Sequence, residues 1–196
     1  MFQPEAKFQF IRRYCPPADG WQVYADIDAS EEGRTGGQRK TEEARDTQER
    51  MQTEGEKARR ELKKLGVQVG EGRAEWFGKN GLPTIEGDRD IVALHPASSR
   101  CLIVEVEGQS KGQPEQKLYK AIGQLIMAAS QTPQQGWKVK LVLVVYGEKI
   151  AEHLGRAKAL QRIDIAALAL ATDPSEDRWL FNADDWPNLA PGGASS

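Results

Sequence analysis

The longest strongly apolar stretch in the chain is Leu141–Tyr146, LVLVVY. It is far too short to cross a bilayer, and its β-branched density marks a strand. Extended back to Val139, it reads as a strand of the kind found at the centre of a mixed or parallel sheet. Such a strand needs helices over the sheet, and the neighbouring sequence supplies them. Pro114 opens a predicted helix over 114–129, with Leu118, Ile122, Leu125, Ile126 and Ala129 on its apolar face. A second helix is expected over 151–160. Upstream, Leu102–Val106 is a nearly continuous apolar strand carrying one carboxylate, and Asp90–Leu94 is a further strand closed by a His95-Pro96 turn.

The remaining segments are read by period and punctuation. Phe8–Tyr14 and Trp21–Ile27 are expected as a hairpin, separated by the turn residues Pro16, Pro17, Asp19 and Gly20. Residues 30–40 read as a mobile loop. A charged helix is predicted over 41–65, with Ala44, Met51, Ala58, Leu62 and Leu65 on one face and Gly66 as its stop. Val67–Val69 and Glu75–Phe77 read as short strands, whereas Ile163–Ala171 fits a strand or a helix equally. The division is an N-terminal hairpin and loop (1–40), an α/β core (41–172) and an acidic Trp- and Pro-containing tail (173–196). The order helix, two or three strands, helix, strand, helix, strand implies an α/β sandwich with mixed strand pairing.

With 196 residues, the chain is long enough to bury a core without disulfides. Its hydrophobic content of 39%, charged content of 29% and formal charge of −2 fit a globular domain with a strongly solvated segment. That charge carries no general signal for nucleic acid, so any such contact must come from a local patch. Cys101 opens an apolar strand and is expected as a buried thiol; with only Cys15 beside it, no disulfide framework is indicated. The opening MFQPEAKFQF lacks the basic-then-apolar order of a secretory signal, and an intracellular setting, cytoplasmic or nuclear, is expected. His95 and His153 do not have zinc-ligand spacing, and His95 reads as a turn residue. No nucleophile elbow, Walker loop or dinucleotide fingerprint is present.

The residues that stand out lie in IEGDRDIVALHPASSRCLIVEVEGQSKG. On a strand, Glu105 and Glu107 project to the same side, and Val104 and Val106 to the other, into a core. A carboxylate inside LIVEV is costly unless something compensates it, and a third acid from the neighbouring strand, Asp90, would raise the repulsion. A divalent ion relieves that cost. An oxygen-only ligand set favours a hard ion that keeps waters, Mg²⁺ or Mn²⁺. The same Glu-x-Glu is also satisfied if Glu105 pairs with an arginine or lysine and Glu107 sits at an exposed strand end.

Over roughly residues 41–146 the chain resembles the PD-(D/E)xK nuclease superfamily, which includes type II restriction enzymes, Holliday-junction resolvases and RecB-type nuclease domains. The matching pieces are GDRDIVAL for the strand with the metal-binding Asp, LIVEVEG for the acid-x-Lys strand and KAIGQL for the following helix. The resemblance implies a restriction-endonuclease-like mixed β-sheet flanked by helices, with Asp90 and Glu105 as metal ligands and Asp88 as a weaker candidate. Glu107 stands where the superfamily normally has lysine. A glutamate there binds metal or orients water but supplies no positive charge, and Lys111 is the nearest candidate to replace it. Gln124 matches a glutamine of RecB-like nucleases, although the expected tyrosine four residues on is Ala128. Glu54, on the helix over 41–65, is a further candidate ligand.

The activity implied is Mg²⁺- or Mn²⁺-dependent hydrolysis of DNA phosphodiester bonds through Asp90, Glu105 and Glu107, with Gln124 assisting. DNA would be the partner, a homodimer would cut both strands, and no membrane is involved. The other reading is a nuclease-fold protein that binds nucleic acid or protein without cutting.

Overall fold

A computed structural model describes residues 2–27, 42–81, 89–108, 114–129 and 136–182. The elements run α1 (Gln3–Tyr14), β1 (Gln22–Ala25), α2 (Glu42–Lys64), β2 (Gln68–Val69), α3 (Arg73–Lys79), β3 (Ile91–His95), β4 (Arg100–Glu107), α4 (Pro114–Ala129), β5 (Lys138–Tyr146), α5 (Glu148–Arg156), β6 (Ile165–Leu170) and β7 (Arg178–Phe181). The strands form one seven-stranded mixed sheet in the order β2-β1-β3-β4-β5-β6-β7. β4, β5 and β6 are parallel to one another, β3 is antiparallel to both β1 and β4, and β7 closes the far edge antiparallel to β6. The chain is therefore α/β with helices on both faces of the sheet.

Alternation along β4 divides the interior into two layers. Leu102, Val104 and Val106 lie in the core formed with α1 and α2, which contribute Ala6, Phe10, Ile11, Ala58 and Leu62. Cys101 and Ile103 lie on the opposite side, with Leu118, Ala121, Leu125 and Ala128 of α4 and Ile150 and Leu154 of α5. Both cysteines are buried and unbridged, and burial pushes the Cys101 thiol up to about 12.

The N-terminal hairpin is corrected: Gln3–Tyr14 is a helix. Its Phe and Ile content resembles a strand, but Ala6, Lys7, Phe10, Ile11 and Tyr14 are buried at helical spacing, and Pro4 sits in the first turn, where no N–H is needed. The Pro-rich turn keeps its place, as a short 3₁₀ turn at Pro17–Asp19 followed by Gly20 at φ 90°. Glu75–Phe77 is likewise helical rather than extended, within α3, whose Trp76 and Phe77 pack against Tyr24 of β1. Ile163–Ala171 resolves as the strand β6, buried along its whole length.

The helix over 41–65 is found as α2, and the helix over 114–129 as α4. The expected face of α4 holds at Leu118, Ile122 and Leu125, but it is rotated at its edges: Ala121 and Ala128 are buried, whereas Ile126 and Ala129 are exposed. Small side chains let the helix lie close to the sheet, and that decides its rotation. Within β5, Lys140 is buried and pairs with Asp164 at 2.6 Å, so the strand is apolar only from Leu141 onward. Arg178–Phe181, in the segment read as a tail, forms β7, with Trp179 edge-on to Tyr14. Residues 30–40 and Trp186 lie outside the described residues. Among those described, no helix is long and apolar enough to cross a membrane.

The C-terminal end of α1 is fastened to the far edge of the sheet by Asp177. Its Oδ1 accepts from Arg13 at 2.9 Å and from the Ala171 N–H at 2.7 Å, and its Oδ2 accepts from the Tyr14 hydroxyl at 2.8 Å. Removing one partner of a buried pair leaves an uncompensated charge. Asp177→Ala is therefore expected to lower stability by about 3 kcal/mol, measured as a shift in the urea unfolding midpoint at constant m-value.

Candidate functional site

Asp90 immediately precedes β3, and Glu105 and Glu107 end β4, so antiparallel pairing brings all three to one end of the sheet. The register pairs Ile91 with Val104, which places Asp90 beside Glu105. This is also the C-terminal end of the parallel strands β4, β5 and β6, the end at which open α/β sheets form their clefts.

Asp90 is held from three directions. Lys7 of α1 lies 2.6 Å from its Oδ1 and also donates to the Asp26 carbonyl at 2.7 Å. The Val106 N–H donates to Oδ2 at 2.7 Å. The Gln3 amide donates to Oδ2 at 3.2 Å and to the Val106 carbonyl at 2.7 Å. Gln3 and Lys7 are one helical turn apart, so a single face of α1 makes both contacts. The first turn of α1 reaches this point only because residue 108 is glycine: a Cβ there would collide with the backbone of Phe2 and Gln3.

Glu105 is buried, and the pairing of β3 with β4 sets it beside Asp90. Its Oε1 is buried and accepts no hydrogen bond, although Arg89 Nη1 lies 3.9 Å away. Burial first, and then the neighbouring Asp90 charge, hold its carboxyl well above the usual carboxylate range, against the opposing pull of Arg89 and Lys7. The pairing of Glu105 with a cation, the alternative legible in the sequence, is thus partly realised through Arg89 at long range.

Glu107 projects toward α4, where Lys117 Nζ lies 3.5 Å from its Oε2. It is buried rather than at an exposed strand end. Asp90 and Glu105 come together, whereas Glu107 is drawn toward the helix. The described residues contain no group of three acids, cysteines or histidines placed to hold one ion. Gln124 is half-buried on α4, and no hydrogen bond joins it to the carboxylates. Glu54 lies on α2 beside Arg50 and Thr53, and Asp88 and Lys111 lie outside the described residues. His95 sits at a turn as expected, its ring against Trp21 and bonded to Ser98.

Sequence reading missed Gln3, Lys7 and Arg89. The available signal was the spacing of Gln3 and Lys7 on an otherwise apolar helical face, which reading Phe8–Tyr14 as a strand concealed. Comparison with protein-family models, curated proteins and solved structures finds no match.

The raised carboxyl of Glu105 has a consequence for stability. In the folded chain it keeps its proton to higher pH than in the unfolded chain, where it titrates near 4.5. The native state therefore binds more protons, and stability present below that value is lost as pH rises across neutral. Glu105→Gln, which keeps the shape and cannot ionise, should flatten that decline. Denaturant titrations of both proteins between pH 5 and pH 8, about the relevant window, will show parallel curves if the assignment is wrong.

Proposed function

We propose that the chain is a restriction-endonuclease-like, metal-dependent nuclease that hydrolyses DNA phosphodiester bonds at Asp90 and Glu105. The observation that carries this reading is the meeting of these two carboxylates at the strand ends, with a buried Glu105 oxygen that accepts no hydrogen bond. An unsatisfied buried oxygen beside a second carboxylate is costly in a protein interior and suits a cation. The oxygen-only donor set fits Mg²⁺ or Mn²⁺. When bound, such an ion offsets charge on the phosphodiester and makes an attacking water more acidic.

The chain's own residues have separate tasks in this reading. Gln3 and the Val106 N–H fix the Asp90 carboxylate, and Lys7 supplies a positive charge that Glu107 cannot. Glu107, on the same side of β4 as Glu105, is placed to orient or deprotonate a water, with Lys117 moderating its charge. The succession β3, β4, α4, carrying GDRDIVAL, LIVEVEG and KAIGQL, supports the fold-level part of the proposal. Arg59, Arg60, Lys63 and Lys64 line a shallow groove along α2 with Glu56, a local basic surface suited to phosphates.

A second reading, a nuclease-fold protein that binds without cutting, is favoured by the cations already placed on the acids: Lys7 on Asp90 and Lys117 near Glu107. Internal pairing lowers the need for an added ion. The two are separated by incubating the purified chain with plasmid and single-stranded DNA in Mg²⁺ or Mn²⁺. The nuclease reading expects cleavage that falls at least about 100-fold in Asp90→Ala and in Glu105→Ala. Equal cleavage by all three proteins would remove the site assignment, and no cleavage with retained DNA binding would establish the second reading.

A further inference from the structure

We propose, on the metal-site reading above, that this centre takes a single divalent ion and that Lys7 holds the place a second ion would need. A carboxylate presents about four lone-pair positions to its partners. On Asp90, Lys7 occupies one at Oδ1, and the Val106 N–H and the Gln3 amide occupy two at Oδ2. The fourth is left open toward Glu105, the neighbour of Asp90 across the pairing of β3 with β4. Among the described residues an ion therefore has one point of entry, between Asp90 and Glu105, where the Glu105 oxygen accepts no hydrogen bond. Two ions about 4 Å apart are held by protein side chains most directly through a carboxylate that bridges them. Asp90 cannot bridge while Lys7 sits 2.6 Å from Oδ1. Glu107 does not replace it, being turned to Lys117.

Lys7 is suited to permanent tenancy. It is buried, it is fixed by the Asp26 carbonyl as well as by Asp90, and it lies on the packed face of α1 beside Phe10 and Ile11. A lysine in that position is a positioning residue. It acts through Asp90, setting how many cations the acids accept and which oxygen remains open to them.

The test is the number of Mn²⁺ ions bound, counted on the full chain by electron paramagnetic resonance of free Mn²⁺ without DNA. The wild type is expected to take one equivalent. Lys7→Met, which keeps the packed stem and removes the charge, is expected to take a second, and Lys7→Arg to return to one. Circular dichroism melts establish that each variant is folded. Two equivalents in the wild type would overturn the proposal even if Lys7→Met failed to fold, and so would a folded Lys7→Met that stays at one. No Mn²⁺ bound by the wild type would overturn it together with the metal reading. One ion bound without DNA cleavage would leave it standing and remove only the nuclease activity.

Discussion

The ion pair between Lys7 and Asp90 is the interaction on which the rest of this end of the molecule depends. It joins α1 to the start of β3, and through the Asp26 carbonyl and the Val106 N–H it also ties in the ends of β1 and β4. A buried pair of this kind contributes little net stability, because desolvating two charges offsets most of their attraction; removing one partner costs about 3–5 kcal/mol. Its effect is therefore on geometry. The binding energy of α1 comes from burying Ala6, Phe10, Ile11 and Tyr14, each larger side chain contributing about 1.5–3 kcal/mol. The ion pair selects the register at which that helix docks.

The same end of the sheet shows how the fold tolerates acids in an apolar strand. Glu105 and Glu107 lie on the side of β4 that faces α4, where burial penalises their charge. Cations approach from both layers: Lys7 from α1, Lys117 from α4 and Arg89 from the approach to β3. Repulsion among the acids pointed either to a metal or to pairing of Glu105 with a cation, and the structure supplies a partial relief from within through Arg89. Of the carboxylate oxygens on the described residues, it leaves Glu105 Oε1 buried without a hydrogen bond. That unpaired oxygen is the observation on which the proposed metal site rests.

Much of the architecture was legible from period alone. β4, α4 and β5 lie where apolar runs and one amphipathic stretch placed them, since burial on both faces leaves an unmistakable pattern in a parallel strand. The errors fell where composition and period disagree. In α1 the dense aromatic and branched residues imitate a strand, and in α3 the pair Trp76-Phe77 does the same over one helical turn. On α4, Leu118, Ile122 and Leu125 face the core as their spacing indicates, and only the edge of the face differs, with Ala121 buried and Ile126 exposed.

The sequence by itself determined that Asp90 and Glu105 would sit on adjacent strands and that Glu105 and Glu107 would share a side of β4, because strand alternation and a short connection leave no other arrangement. Only the tertiary structure decided what those acids meet. Lys7 is 83 positions before Asp90, and no local rule links a helix residue to a strand end at that separation. The contact exists because the apolar face of α1 docks under β4 and Gly108 lets its first turn approach, which delivers one lysine and one glutamine to a carboxylate that would otherwise have faced the open end of the sheet.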